Sequence, residues 1–323
     1  MDAPRDDRIR LTIVGGFLGS GKTTWLRHQL HRGRYGDAAV VVNEAAGTPI
    51  DDALLTGAAR LDVLAGGCAC CTTRDELVLL LRGLCDARSA ITSTDDRLQR
   101  IVLETSGLAD PGPIVEAVRS DPVLVHHIVV HEIVVLVDAA NGLAHLQGEP
   151  LGRRQVETAD RLIVTKVDAA DAGDVGRLLA TLRAINPGAI LSAAVKGSAL
   201  PLPDFDGAEP VPIAEADGAP GAPIFPTRLA LDPSLDWTAF TVWLSALLHA
   251  RGDDVLRVKG VVRTAAGRLL LQSVRKTVQS PEILPPMEDD PTREDNTIVV
   301  IGRGYRGEDL RRSLDYFAGA GRG

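Results

Sequence analysis

Gly16-Phe17-Leu18-Gly19-Ser20-Gly21-Lys22-Thr23 matches the spacing G-x-x-x-x-G-K-[ST], and it stands between the apolar run Leu11 to Val14 and a helical stretch from Lys22 to His31. In that setting successive backbone N–H groups can turn inward around an anion while the helix directs its positive end at the same charge. Gly19 and Gly21 permit the turn, and Lys22 is expected to reach the β- and γ-phosphates of a nucleotide. Thr23 is expected to hold Mg²⁺ through its hydroxyl, with Ser20 and Thr24 completing the phosphate-binding set. A turn that merely joined a strand to a helix would leave the Lys-Thr pair without a reason.

Outward from this loop, short β-branched runs alternate with amphipathic stretches, the pattern of βα units around a mostly parallel sheet. Strands are expected at Leu11 to Val14, Ala39 to Val42, Ile101 to Leu103, Ile133 to Val137 and Leu162 to Val164. They are nearly continuous apolar runs, as strands buried on both faces should be. Helices are expected at Lys22 to His31, Asp75 to Cys85, Pro113 to Arg119 and Val175 to Ile185. The fold class is therefore α/β, a P-loop NTPase domain over residues 1–200. Residues 201–225 have the Pro-, Gly-, Ala- and Asp-rich composition of a linker. Residues 226–323 read as a smaller α+β domain, with a helix at Trp237 to Ala250, strands at Leu256 to Val262, Leu269 to Val274 and Thr297 to Ile301, and a last helix at Glu308 to Phe317. The proline-rich stretch Pro281 to Pro291 suits neither helix nor inner strand and is expected to be a solvated loop.

Two further strand ends carry chemistry. Glu104-Thr105-Ser106-Gly107 follows Ile101-Val102-Leu103, placing the Glu104 carboxylate near the expected Mg²⁺ and Gly107 where a γ-phosphate must be approached. Thr165-Lys166-Val167-Asp168 follows Leu162-Ile163-Val164 and resembles the guanine signature N-K-x-D with Thr in place of Asn. Asp168 can accept two hydrogen bonds from guanine N1 and N2, for which adenine has no matching donors, and the Lys166 stem can cover the base. GTP is thus expected over ATP. Loss of Asn removes an amide that would ordinarily brace the phosphate loop.

Three of the four cysteines fall in Gly66-Gly67-Cys68-Ala69-Cys70-Cys71. Cys68 and Cys71 have C-x-x-C spacing with Cys70 between them, which reads as a thiolate site for zinc or a similar ion. If Asp75 starts a helix, Cys85 lies roughly 15 Å along it, far beyond a Zn–S bond, so the site has three protein ligands and an open fourth position. Such a site suits a metal that is to be passed on, whereas adjacent thiols also allow a redox switch. Cys85, on a leucine-rich stretch, is expected in the core. His126, His127 and His131 are expected at a solvated turn by a strand mouth, with an added metal ligand as the alternative.

With 323 residues, 45% hydrophobic and only 3% aromatic, the chain is long enough for two domains, and its formal charge of −8 argues against nucleic acid or an anionic membrane surface as main partner. The polar opening Met1 to Arg8, and the lack of any run of 18 uncharged apolar residues, predict a cytoplasmic protein with neither signal peptide nor membrane span.

Taken in order, Gly16 to Thr23, Asn43-Glu44, Gly66 to Cys71, Glu104 to Gly107 and Thr165 to Asp168 resemble the CobW-type metallochaperone GTPases, relatives of the hydrogenase and urease accessory GTPases. The Gly-Gly-Cys-x-Cys-Cys element is the most specific part, and the stretch from Val255 through Ile301 is similar to the family's second domain. The resemblance implies a GTPase using GTP and Mg²⁺ that loads Zn²⁺ or Co²⁺ at Cys68, Cys70 and Cys71 for a client metalloprotein, with a homodimer an open alternative. Lys22 and Glu104 are the expected catalytic residues, with Asp51 orienting the attacking water. The family's Asn-Glu-Phe-Gly-Glu is replaced here by Asn43-Glu44-Ala45-Ala46-Gly47-Thr48-Pro49-Ile50-Asp51. Glu44 and Asp51 still offer oxygens, but the aromatic, one glycine and one acid are gone, so the coupling of nucleotide to metal is the part most exposed to this change. Rival readings are a metal-buffering or redox-switch protein with weak GTPase activity, and a P-loop kinase of small molecules.

Overall fold

The computed structural model describes residues 6–44, 60–65, 73–93, 97–213, 224–264, 267–284 and 295–320. They form two compact units, Arg8–Gly221 and Ala222–Gly323, the latter joined by Met1–Asp7.

The first unit runs β1 (Ile9–Gly16), α1 (Lys22–His31), β2 (Ala38–Glu44), β3 (Arg60–Ala65), α2 (Thr73–Ser89), β4 (Arg100–Glu104), α3 (Pro111–Ser120), α4 (Leu124–His127), β5 (Ile128–Asp138), α5 (Gly142–Gly148), α6 (Pro150–Thr158), β6 (Arg161–Thr165), α7 (Ala172–Ile185), β7 (Ile190–Val195) and β8 (Ser198–Leu200). Its sheet has the order β3-β2-β4-β1-β5-β6-β7-β8. Every pairing is parallel except the terminal β7–β8 hairpin. Burial on both faces explains the apolar runs: Leu11, Ile13, Ile101, Ile133 and Leu162 are all closed to solvent. Because the strands are parallel, their carboxyl ends share one edge, where Gly16, Glu44, Glu104, Asp138 and Thr165 lie.

Pairing between β1 and β5 slips by one residue, with Leu11 opposite Val130 and Thr12 opposite Glu132. The skipped residue is His131, which is exposed. His131 therefore belongs to a bulge inside β5, not to a turn at its mouth, while His126 and His127 belong to α4. Among the described residues no cluster of three His, Cys, Asp or Glu side chains is placed to hold a metal.

The second unit contains β9 (Phe225–Ala230), α8 (Trp237–Arg251), β10 (Val255–Thr264), β11 (Gly267–Val274), β12 (Thr277–Val278), β13 (Glu282–Leu284), β14 (Thr297–Gly302) and α9 (Gly307–Ala320). Its antiparallel sheet has the order β12-β11-β10-β14-β9, with β13 also on β11. One face is covered by α8 and α9, burying Phe240, Trp243, Leu310 and Leu314 against Leu229, Val258 and Val300. Trp243 donates its indole N–H across the two helices to Ser313 Oγ at 3.1 Å. Part of the expected loop after Pro281 is thus an edge strand: three residues pair with β11 before the prolines at 285 and 286 intervene.

Within residues 201–213, the stretch with linker composition is tied to the first unit, whereas Phe225 already belongs to β9 of the second. Val211 N–H donates to Thr181 Oγ1 at 2.9 Å, and Arg153 donates to the Ile213 carbonyl at 3.2 Å.

Candidate nucleotide site

The phosphate loop is shaped by its glycines. Gly19 and Gly21 take φ of 75° and 86°, left-handed values that favour a residue without Cβ, and no described atom lies within 4 Å of where that Cβ would be. At Gly16, with φ of 133°, a Cβ would stand 2.3 Å from the Leu136 carbonyl oxygen, so β5 leaves no room for a side chain where the loop begins. α1 then starts at Lys22 with neither a side-chain cap nor an acidic residue in its first turn among the described residues. Its first amides keep their hydrogen-bonding capacity for an anion.

Lys22 is buried and donates Nζ–H bonds to the carbonyls of Gly16 at 2.8 Å and Phe17 at 3.0 Å. Burial lowers its ammonium below the usual lysine range, and the Glu104 carboxylate offsets part of that effect. Thr23 donates its hydroxyl to Glu104 Oε1 at 2.6 Å, across 81 residues of sequence. A hydroxyl and a carboxylate side by side form a hard-oxygen donor set, which fits Mg²⁺. The Ser20 hydroxyl is buried with no hydrogen-bond partner among the described residues, and this orphaned donor fits a polyanion in the loop.

Gly107 lies directly on the phosphate loop, where a Cβ would be 2.6 Å from Leu18 N and 2.8 Å from Leu18 Cα. Leu18 and Thr24 are both exposed. The Thr165–Lys166 segment meets the same loop. Thr165 Oγ1 donates to the Ser20 carbonyl at 2.8 Å, so the brace expected to vanish with Asn is supplied by the threonine hydroxyl. β6 ends beside β5, with Thr165 level with Asp138. Lys166 takes a left-handed φ of 57° and donates to Asp138 Oδ2 at 2.6 Å. Asp168, two residues on, is exposed. Asp138 is buried, which pushes its carboxyl up, but hydrogen bonds from Lys166, the Ala140 N–H and Asn141 outweigh this and hold it below the usual carboxylate range.

The structure thus brings Gly19, Ser20, Gly21, Lys22, Thr23, Glu104 and Gly107 around one loop and ties the Lys166 segment to it. Asp51, Cys68, Cys70 and Cys71, together with Ala45, Ala46, Gly47 and Pro49, lie outside the described residues. Cys85 is buried, and burial pushes its thiol up to about 11, the setting of an inert core cysteine. Asp138 and Gln155, which braces the loop after Glu104, were not singled out from sequence, although Asp138 closes an apolar run as Glu104 does.

Residues 10–192 match the CobW/HypB/UreG nucleotide-binding domain and residues 227–318 match the cobalamin synthesis protein cobW C-terminal domain. The chain belongs to the CobW/HypB/UreG family. Among its CobW-type relatives, the zinc chaperone CobW of Pseudomonas aeruginosa is 31% identical over 312 residues, covering 83% of this chain and 81% of the relative. The zinc chaperone YjiA of Escherichia coli is 35% identical over 179 residues, and that match spans 55% of each chain. The crystal structure of zinc-bound YjiA GTPase from Escherichia coli shares the fold, with a TM-score of 0.58 at 24% identity, covering 96% of this chain and 99% of that one. Among the described residues no helix is long and apolar enough to cross a membrane.

Proposed function

We propose that this family member hydrolyses GTP and uses the cycle to load zinc, or a similarly thiophilic ion such as cobalt, into a client metalloprotein. The observation that carries the nucleotide half is the convergence of Lys22, the Thr23–Glu104 pair and the Thr165–Lys166 segment on one phosphate loop. In this reading the loop amides and Lys22 hold the phosphates, Asp168 reads guanine, and the Lys166 stem lies on the base. Thr23 and Glu104 would hold Mg²⁺, which neutralises charge on the transferring phosphoryl group. Asp51 orients water. The reaction itself needs positioning and charge stabilisation more than covalent chemistry, which is what a preorganised loop offers.

The metal half rests on Cys68, Cys70 and Cys71 and on the relatives named zinc chaperones. Ala65, the residue before Gly66, pairs with Glu44 at the same sheet edge as the phosphate loop, which gives nucleotide and metal a short route for coupling. An allosteric coupling of about 1–3 kcal/mol changes metal affinity roughly 5- to 150-fold, enough to turn capture into release. The cytosol, where thiols stay reduced, suits this work.

Phosphate release should be measured with GTP and ATP, and zinc affinity by competition against a chromophoric chelator with and without a non-hydrolysable GTP analogue. GTP turnover above ATP turnover, and a zinc affinity that shifts with the analogue, are expected. ATP preference with transfer to a small molecule would establish a kinase instead. Equal zinc affinities would leave a GTPase without coupling, and zinc binding without turnover a metal buffer. If Cys70→Ser abolishes disulfide formation but not zinc binding, the cysteines serve as a redox switch.

A further inference from the structure

The loop after Glu104 is held from three sides. Its start is fixed to β1 by the Thr105 N–H, which donates to the Val14 carbonyl at 2.9 Å. Its middle rests on the phosphate loop, with Gly107 against Leu18. Its end is gripped by two consecutive residues of α6. Arg154 Nε donates to Asp110 Oδ2 at 3.0 Å, and Asp110 in turn caps α3 by accepting the Gly112 N–H at 2.9 Å. Gln155 Nε2 donates to the Ala109 carbonyl at 2.8 Å and makes a longer contact with the Gly107 carbonyl at 3.5 Å.

Gln155 is only 2% exposed, so its amide has given up water for these backbone carbonyls. A buried amide that loses such partners is costly, and so is a carbonyl left without its donor. An aliphatic residue of similar volume would fill the same space on α6. What the amide adds is a fixed direction for the Gly107 and Ala109 carbonyls. α6 runs within a few residues into β6, which carries the Thr165–Lys166 segment. One rigid helix therefore holds the loop beside the expected third phosphate and leads to the strand that holds the base-side segment.

We infer that Gln155 is a positioning residue for this site. It keeps the Gly107 peptide in register with the phosphate loop, so that the loop distinguishes a nucleoside triphosphate from a diphosphate. This inference rests on the reading of the site as a GTP site. Gln155 touches neither nucleotide nor metal in this role and acts through the backbone of Gly107 to Ala109. Replacing it by leucine removes the donor at nearly constant volume. Replacing it by glutamate turns a carboxylate toward two carbonyl oxygens, and a proton restores a donor there.

The test measures affinities of the full-length protein for GDP and for a non-hydrolysable GTP analogue with Mg²⁺, together with GTP turnover, in wild type, Q155L, Q155N and Q155E. For Q155L the analogue is expected to bind at least ~10-fold more weakly while GDP affinity changes by less than ~2-fold, with turnover down ~10- to 100-fold. Q155N should lie between wild type and Q155L, and keeps the comparison available if Q155L folds poorly. Q155E should be the weakest at pH 8 and regain turnover relative to Q155L as pH falls toward 6, because burial raises a carboxyl pKa. GDP and analogue weakened alike in both Q155L and Q155N would mean a merely structural amide and would overturn the inference, as would a wild-type ratio in both. If wild type binds neither nucleotide, the reading of the site fails and the inference falls with it. If wild type binds both and the variants keep its ratio, the inference alone fails.

Discussion

Asp138 shows how one buried charge is kept stable in the first unit. Its carboxylate accepts from Lys166, the Ala140 N–H and Asn141, and burial alone would have driven it toward the neutral form. A carboxyl held below its ordinary range contributes stability that is full above the unfolded value near ~4 and is lost as pH falls through the folded value. Asp138→Asn should therefore lower the melting temperature by about 2–4 °C at neutral pH, corresponding to about 1 kcal/mol once the solvent exposure of Lys166 is allowed for. The gap between variant and wild type should close in scans below pH ~4. A gap that persists there would show that packing rather than charge is involved. Lys22 and Thr23 stand out in the sequence through the G-x-x-x-x-G-K-[ST] spacing and Glu104 through its place at the end of an apolar run, and the fold puts Glu104 within hydrogen-bond distance of Thr23. Thr165 as the brace on Ser20, and Gln155 on Ala109, do not stand out, because the carbonyl a side chain meets is decided by how distant segments come together.

At the scale of elements, the strands that carry the site were readable as apolar runs, and two of the missed ones, β3 and β9, lie at sheet edges. β3, Arg60-Leu61-Asp62-Val63-Leu64-Ala65, is an edge strand in which charged residues interrupt the apolar run that marks a strand buried on both faces. β9 carries Pro226, and it lies at an edge of its sheet, where a missing N–H is tolerated. β5 extends past His131 to Ile128 because a bulge absorbs one residue. The contact between phosphate loop and the loop after β4 is testable. Gly107→Ala would force a methyl to 2.6 Å from Leu18 N and displace one loop from the other. GTP turnover should fall roughly 10- to 100-fold with little change in melting temperature, since both loops lie at the sheet edge. Gly21→Ala meets open space and should cost about 1 kcal/mol from its left-handed φ alone. Unchanged phosphate release by Gly107→Ala would separate the two loops functionally.

At the scale of the whole molecule, each unit has its own core, one centred on Val14, Leu26, Val40 and Leu136, the other on Trp243, Val258 and Val300. A chain ending at residue 221 should unfold in one cooperative transition and bind GDP with wild-type affinity within ~3-fold. A broad, non-cooperative melt would show that the first core is incomplete alone. The sheet order has a further consequence during synthesis. The strand leading into the phosphate loop is Ile9–Gly16, yet its neighbours are Arg100–Glu104 and Ile128–Asp138. At ~5–20 residues per second the ribosome needs on the order of ten seconds to deliver the second neighbour. The loop cannot close around a ligand before then, so nucleotide cannot guide the early nascent chain. Its stabilising effect begins only when most of the first unit has emerged, and until then a β-branched apolar strand must be shielded by other means.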